Sequence, residues 1–182
     1  MNVILVVDMI RGFHDLGKLA NPRTAKIIPN IRELLERKTK EGGWVALFLA
    51  DKHKLDDKEF DMFPPHCVEG TEETEVVAEL RQFCQHTVLS KTRHSGFYKT
   101  QLDDFLEFEK PQKVVVVGVC TDICVLYTVA GLRERDFKVI VPKNCTETYS
   151  SSGHGARRTK RWVFRHMRDV LGVNVIKSQK EI

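Results

Sequence analysis

The amino-acid sequence predicts a three-layer α/β/α sandwich built on a mainly parallel, Rossmann-like sheet of about six strands. Three observations predict it. Short, continuously apolar runs rich in Val and Ile recur along the chain, as strands buried on both faces of a parallel sheet require. Longer segments with apolar residues at helical spacing lie between those runs. Strand and helix alternate, which suits parallel strands joined by right-handed crossovers.

The elements follow in order. Residues 3–7 form the first strand, five apolar residues ended by Asp8. Residues 24–41 read as a helix, 44–50 as the second strand and 72–83 as a further helix. Residues 87–89 read as a short strand, and 100–108 as a helix with apolar residues on one face. Residues 114–119 are a buried strand, and 122–135 are the helix after it, with Thr121 or Asp122 expected as its cap. The strand at 139–141 precedes a helix at 155–171 and a last short strand at 173–176. In the last helix Trp162, Val163, Phe164, Met167, Val170 and Leu171 are expected to dock on the sheet. Arg157, Arg158, Lys160, Arg161, Arg165 and Arg168 read as its solvated face. An RNA-binding or scaffold role for that basic face is the competing, weaker reading.

Composition narrows the class. The chain has 182 residues, 42% hydrophobic and 30% charged, enough to close a core, and residues 1–182 read as one domain. Lys and Arg number 29 against 25 acids, a balance too even to imply nucleic acid as partner. No stretch resembles a signal peptide or reaches membrane-spanning length. Five cysteines at irregular spacing do not make a secreted disulfide framework, so a reducing cytoplasm is expected.

In such sheets ligands bind beyond the carboxyl ends of the strands, near the switch in strand order. Four strand ends carry reactive residue types: Asp8, then Asp51 with His53, then Lys91, then Cys120 through Cys124. Cys124 falls in the first turn of a helix, where free N–H groups and the helix dipole favour a thiolate. Each residue alone also suits a bland role: a buried small thiol, a turn-forming Asp, a surface lysine. Together they offer a nucleophile, a base for its proton and a cation to hold the anion.

Asp51-Lys52-His53 is followed by Glu59-Phe60-Asp61-Met62-Phe63-Pro64-Pro65-His66-Cys67. Asp and His two apart in an extended segment point the same way, and a later Glu and His close a mixed nitrogen and oxygen site. Such donors suit Zn, Mn or Fe better than Ca or Mg. Asp56, Asp57 and Asp61 are equally placed as ligands by spacing, and a solvated charged loop is the plain alternative.

Asp8 with Phe13, Asp51-Lys52-His53, Phe63-Pro64-Pro65-His66-Cys67-Val68-Glu69-Gly70-Thr71, Lys91 with Ser95-Gly96-Phe97, and Gly118-Val119-Cys120-Thr121-Asp122-Ile123-Cys124-Val125 resemble the isochorismatase-like cysteine hydrolases, most closely the nicotinamidases. The resemblance runs in order over nearly the whole chain. It implies the isochorismatase-like hydrolase fold, with Cys124 as nucleophile, Asp8 as general base and Lys91 as the cation. It implies an oxyanion hole from the backbone N–H groups of Cys120 and Cys124, and a cis peptide at Val119–Cys120. Asp51, His53, Glu59 and His66 match the ligands of one divalent metal ion, zinc before Mn or Fe. Phe13 and Phe63 match the faces that hold a flat ring, although many nicotinamidases have Trp where Phe63 stands. Met9-Ile10-Arg11-Gly12 also departs from the Gln-Asn-Asp-like run of many members. The implied reaction is hydrolysis of nicotinamide through a thioester, in cytoplasmic NAD salvage, by a homo-oligomer. A relative acting on a ureido or N-carbamoyl amide is the alternative; such relatives generally lack the metal set.

Overall fold

Strand β1 (Asn2–Val7) is apolar from its second residue onward, and its side chains divide by parity between two cores. Val3, Leu5 and Val7 belong to one, Ile4 and Val6 to the other. The computed structural model describes residues 1–84 and 88–182. Within them β1 is joined by β2 (Trp44–Asp51), β3 (Leu89–Lys91), β4 (Val114–Val119), β5 (Val139–Pro142), β6 (Thr146–Glu147) and β7 (Asn174–Ile176). The order is β3-β2-β1-β4-β5-β7, with the two-residue β6 beside β4, and every pairing is parallel. The expected sandwich is present, with the short β6 as a seventh strand.

Helix α1 (Ile28–Glu41) covers one face, where Ile31, Leu34 and Leu35 meet Ile4 and Val6. Pro29 sits in its first turn, where a missing N–H costs no hydrogen bond. Helices α2 (Leu102–Glu109), α3 (Cys124–Arg133) and α4 (Ala156–Asp169) cover the other face through Leu106, Val125, Val129, Val163 and Met167. Among the described residues no helix is long and apolar enough to cross a membrane.

Several expectations are corrected. Residues 72–83 do not form one helix: two 3-10 turns, Glu72–Thr74 and Ala78–Phe83, flank an extended strip. That strip is held by the chain after β1, with Arg11 N–H donating to the Glu75 carbonyl and Val77 N–H to that of Met9. Val76 bridges Ile10, so β-branched residues with a backbone partner override their helical spacing. The third strand runs to Lys91, and Thr87, expected to begin it, lies outside the described residues. Neither Thr121 nor Asp122 caps α3, whose cap position is Ile123. The Asp122 carboxylate instead accepts from Thr148 Oγ1 at 2.5 Å and lies 2.8 Å from His154 Nε2. Trp162 and Val170 do not dock on the sheet but are 60% and 67% exposed; Trp162 stacks on His166 along the outer face of α4.

Candidate active site and metal centre

After β3 the chain returns past β1 to place β4 on its other side, so the switch in strand order falls between β1 and β4. Val7 lies opposite both Leu49 and Gly118, and Asp51 opposite Lys91, which brings four strand ends to one edge. Gly118 is required there. Its φ is +116°, and a Cβ would stand 1.9 Å from the Val7 carbonyl oxygen. One residue past β1, Asp8 takes the left-handed conformation at φ +51°, a strained state of the kind found at functional sites.

Asp8, Lys91 and Cys124 are buried together. Lys91 Nζ lies 2.8 Å from Asp8 Oδ2 and 3.5 Å from Cys124 Sγ, and it also pairs with Asp51. Asp8 Oδ1 accepts the Asp51 backbone N–H at 3.0 Å. Burial and the neighbouring Asp51 charge push the Asp8 carboxyl up to about 6, against the pull of Lys91. Burial opposes the charge on Lys91, but Asp51 and Asp8 outweigh it and hold the ammonium well above its ordinary range. Burial also pushes the Cys124 thiol well up; Lys91 pulls the other way without prevailing, and Asp8 and Asp51 add to the rise. Lys91 thus stays charged and pulls the thiol down, by less than burial pushes it up, and Asp8 is the group placed to take the thiol proton.

Cys124 is the first residue of α3, and Val119–Cys120 is cis, as the resemblance implies. Ile123 and Val125 N–H both donate to the Cys120 carbonyl, while among the described residues neither Cys120 N–H nor Cys124 N–H has an acceptor in the protein. Two unpaired amides beside a buried thiol form the kind of donor pair that holds an oxyanion.

The second cluster begins where β2 ends. Asp51 closes the strand, and His53 is held by Cys67 and Glu69 through two backbone hydrogen bonds of 2.9 and 2.8 Å. This pairing brings the His53 and His66 rings to 4.8 Å. Glu59 arrives on a 3-10 turn, Lys58–Asp61, whose cap is Asp57. Asp51, His53, Glu59 and His66 are all buried, and one donor atom from each lies within 4.8 Å of the others. His66 Nε2 is 3.8 Å from Asp51 Oδ2 and 4.0 Å from Glu59 Oε1, too far to hydrogen-bond. His53 Nε2 and Glu59 Oε2 are buried without a hydrogen-bond partner. The outer nitrogens are engaged: His53 Nδ1 by Asp57 at 3.1 Å, His66 Nδ1 by the Pro64 carbonyl at 2.8 Å. Three buried carboxylates, Asp8, Asp51 and Glu59, face one buried ammonium, Lys91, with the half-buried Arg93 guanidinium 3.8 Å from Glu59 Oε2, an excess of buried negative charge that a divalent cation would offset. Orphaned inner atoms, engaged outer ones and surplus negative charge all fit a metal ion. Asp57 stands behind His53 rather than in the cluster, and Asp56 and Asp61 are exposed.

Both clusters open on one cavity of about 340 Å³, the scale of a small-molecule pocket. Cys124, Cys120, Asp51, Glu59 and His66 line it, with Phe13 and Phe63 as expected. Arg11 is not in its wall and pairs with Asp15 and Glu72. The sequence reading missed His94, Lys18 and Tyr149, which also line the cavity. His94 lies edge-on to Phe63 at 5.8 Å; Tyr149 stacks on His154 at 4.0 Å, and His154 in turn meets Asp122. A His three residues past the strand-end cation was the available signal for His94. Tyr149 comes from the far side of β6 and had none.

Among proteins of known name, Nicotinamidase 1 of Arabidopsis thaliana is 32% identical over 165 residues, 81% of this chain and 66% of that protein. The crystal structure of N-carbamoylsarcosine amidase from Thermoplasma acidophilum matches with a TM-score of 0.86 at 29% identity, covering 100% of this chain and 98% of that one. Pyrazinamidase of Pyrococcus horikoshii, solved in complex with zinc, matches with a TM-score of 0.84 at 26% identity, covering 96% and 98%. The isochorismatase domain, as a family, matches residues 2–173. That span runs from β1 to the residue before β7 and contains every strand end that builds the site; the chain belongs to the isochorismatase family.

Proposed function

We propose that this isochorismatase-family hydrolase is a metal-assisted cysteine amidohydrolase that converts nicotinamide to nicotinate and ammonia, in cytoplasmic pyridine nucleotide salvage. The observation that carries the reading is the shared Asp51. This carboxylate pairs with Lys91 of the thiol cluster and lies 3.8 Å from both His53 Nε2 and His66 Nε2. A nucleophile and a metal-type cluster thus meet in one small cavity, as an amide carried on a nitrogen heterocycle requires.

Asp8 takes the Cys124 proton as the sulfur attacks the carboxamide carbon. The developing oxyanion is received by the N–H groups of Cys120 and Cys124. Asp8 returns the proton to the departing nitrogen, releasing ammonia and leaving a thioester on Cys124. Water then attacks the thioester carbon, Asp8 accepts its proton, and the thiol regains a proton as nicotinate leaves. Lys91 stays charged throughout and balances the thiolate as it forms. Asp51, His53, Glu59 and His66 would hold the ion, zinc in this reading, which supplies a Lewis-acid anchor for the ring nitrogen. Phe13 and Phe63 pack on the ring.

The test is ammonia release from nicotinamide by the protein as isolated, after chelation, and after return of Zn, Mn or Fe, with Cys124→Ala as control. Release that needs both Cys124 and metal is the expected result. The likeness to N-carbamoylsarcosine amidase favours one second reading, a ureido or N-carbamoyl substrate on the same triad. No release from metal-loaded protein whose Cys124 still reacts with a thiol reagent would replace the first reading with the second.

A further inference from the structure

We propose that Asp57 is the positioning residue of the metal cluster: one carboxylate orients two of the four ligand side chains, His53 and Glu59, and is itself fixed by Arg93. This rests on the reading that the cluster binds a divalent metal. It is independent of which amide is hydrolysed.

Asp57 Oδ2 lies 3.1 Å from His53 Nδ1. With a hydrogen on Nδ1 donated to this carboxylate, the neutral imidazole presents the Nε2 lone pair inward, where Nε2 is buried and has no other partner. The contact selects the tautomer, the ring angle and the basicity that ligation needs. Asp57 Oδ1 accepts the Glu59 backbone N–H at 2.9 Å. That hydrogen bond caps the turn Lys58–Asp61 and sets where the Glu59 side chain starts. Arg93 Nη1 donates to the same oxygen at 2.7 Å, so the strut is tied to the segment that follows Lys91, the last residue of β3.

The remaining ligands are held by other means. Asp51 is the last residue of a strand. His66 Nδ1 donates to the Pro64 carbonyl, which the Pro64-Pro65 pair keeps in place. Loss of Asp57 should therefore release two ligands and leave two in position, a graded weakening rather than loss of the site.

The experiment uses the full-length protein and measures Zn²⁺ affinity by competition with a chromophoric chelator. The visible absorption of the Co²⁺-loaded form reports ligand geometry. Asp57→Ala is expected to weaken Zn²⁺ binding about 10- to 100-fold and to shift the Co²⁺ bands. Asp57→Asn keeps one acceptor oxygen, enough for the Glu59 N–H while an NH2 group faces His53 Nδ1, and should fall between Ala and wild type. It carries the test should the Ala variant not fold. Met62→Ala, exposed and at the end of the same turn, should match wild type in both readouts. Wild-type affinity and an unchanged Co²⁺ spectrum in the Asp57 variants would overturn the proposal while leaving the metal reading intact. Failure of the wild-type protein to bind either ion would overturn the metal reading and this inference with it.

Discussion

Asp8, Lys91 and Cys124 stand at the ends of parallel strands or on the first residue of the helix that follows one. His53, Glu59 and His66 stand on a loop and a 3-10 turn. The first group is placed by sheet register: Val7 pairs with Leu49 and Gly118, Asp51 with Lys91, and the side chains emerge at fixed spacing. The second group is placed by single contacts, namely the His53 pairing with Val68, the Asp57 carboxylate and the Pro64 carbonyl. A strand end resists perturbation because many ladder hydrogen bonds define it. A loop ligand depends on one or two struts. The two halves should therefore fail separately, the thiol half in chemistry and the loop half in metal occupancy.

The largest expected effect breaks the thiol half alone. Cys124→Ala should lower kcat by about 10⁴-fold or more while leaving zinc content and the urea unfolding curve near those of wild type. Ammonia release at a wild-type rate would remove Cys124 from its role. Next comes the loop half. His66→Ala should weaken metal binding by about 100-fold or more, beyond the loss of an outer contact. Ammonia release should be lost in step with metal content while the reactivity of Cys124 toward a thiol reagent persists. Loss of thiol reactivity together with the metal would show that the halves are not separable.

A third prediction concerns His14, which follows the pocket wall Phe13 on the turn Arg11–Phe13. Burial pushes His14 down from its ordinary 6.5 to about 4, although Asp15, the Asp8 backbone and Glu79 all favour its protonation. The unfolded chain then binds more protons than the folded one between those values. Stability is complete above about pH 6.5 and declines as pH falls toward 4. The loss should reach about 2 kcal/mol at pH 5 relative to pH 7, read from urea unfolding. His14→Phe should flatten that dependence, and an unchanged slope in the variant would assign the acid sensitivity to other groups.

The same contrast governs how far the site was legible in the sequence. A strand buried on both faces writes itself as an unbroken apolar run, so residues 3–7 and 114–119 were readable, and with them Asp8 and the thiol turn. The spacing of Asp51 and His53 on an extended segment was equally plain. The choice of Glu59 over Asp56, Asp57 and Asp61 was not, because it depends on a turn capped by one of the rejected candidates. Asp57 was visible only as one acid among several; that it lies behind His53 is a fact of three dimensions. Residues 72–83 misled for a related reason. Val76, Val77, Leu80 and Phe83 have helical spacing, but the partners of the first two are Ile10 and Met9, on the chain after β1 and far back in the sequence. Asp122 read as a helix cap until Thr148 and His154, far along the chain, claimed its carboxylate.

The smallest predicted effect sharpens the comparison by removing a side chain that supplies no donor atom or nucleophile to either half. Phe63 lies on the loop between Glu59 and His66, edge-on to His66 at 6.3 Å and to His94 at 5.8 Å, and it lines the cavity. Its phenyl ring has no metal-donor atom, and it shares the cavity wall with Cys124. On the proposed function it would cover a ring that is equally flat in the bound amide and in the transition state, so its loss should remove uniform binding. Phe63→Ala should raise KM for nicotinamide about 10-fold, the worth of about 1.4 kcal/mol of aromatic contact, with kcat nearly unchanged. Zinc affinity should stay at the wild-type value, and Phe63→Trp should restore KM. A fall in kcat with KM unchanged would mean that Phe63 sets the approach of the carboxamide to Cys124. The loop would then take part in the chemistry after all, and the division between a strand-built thiol half and a loop-built metal half would fail at that residue.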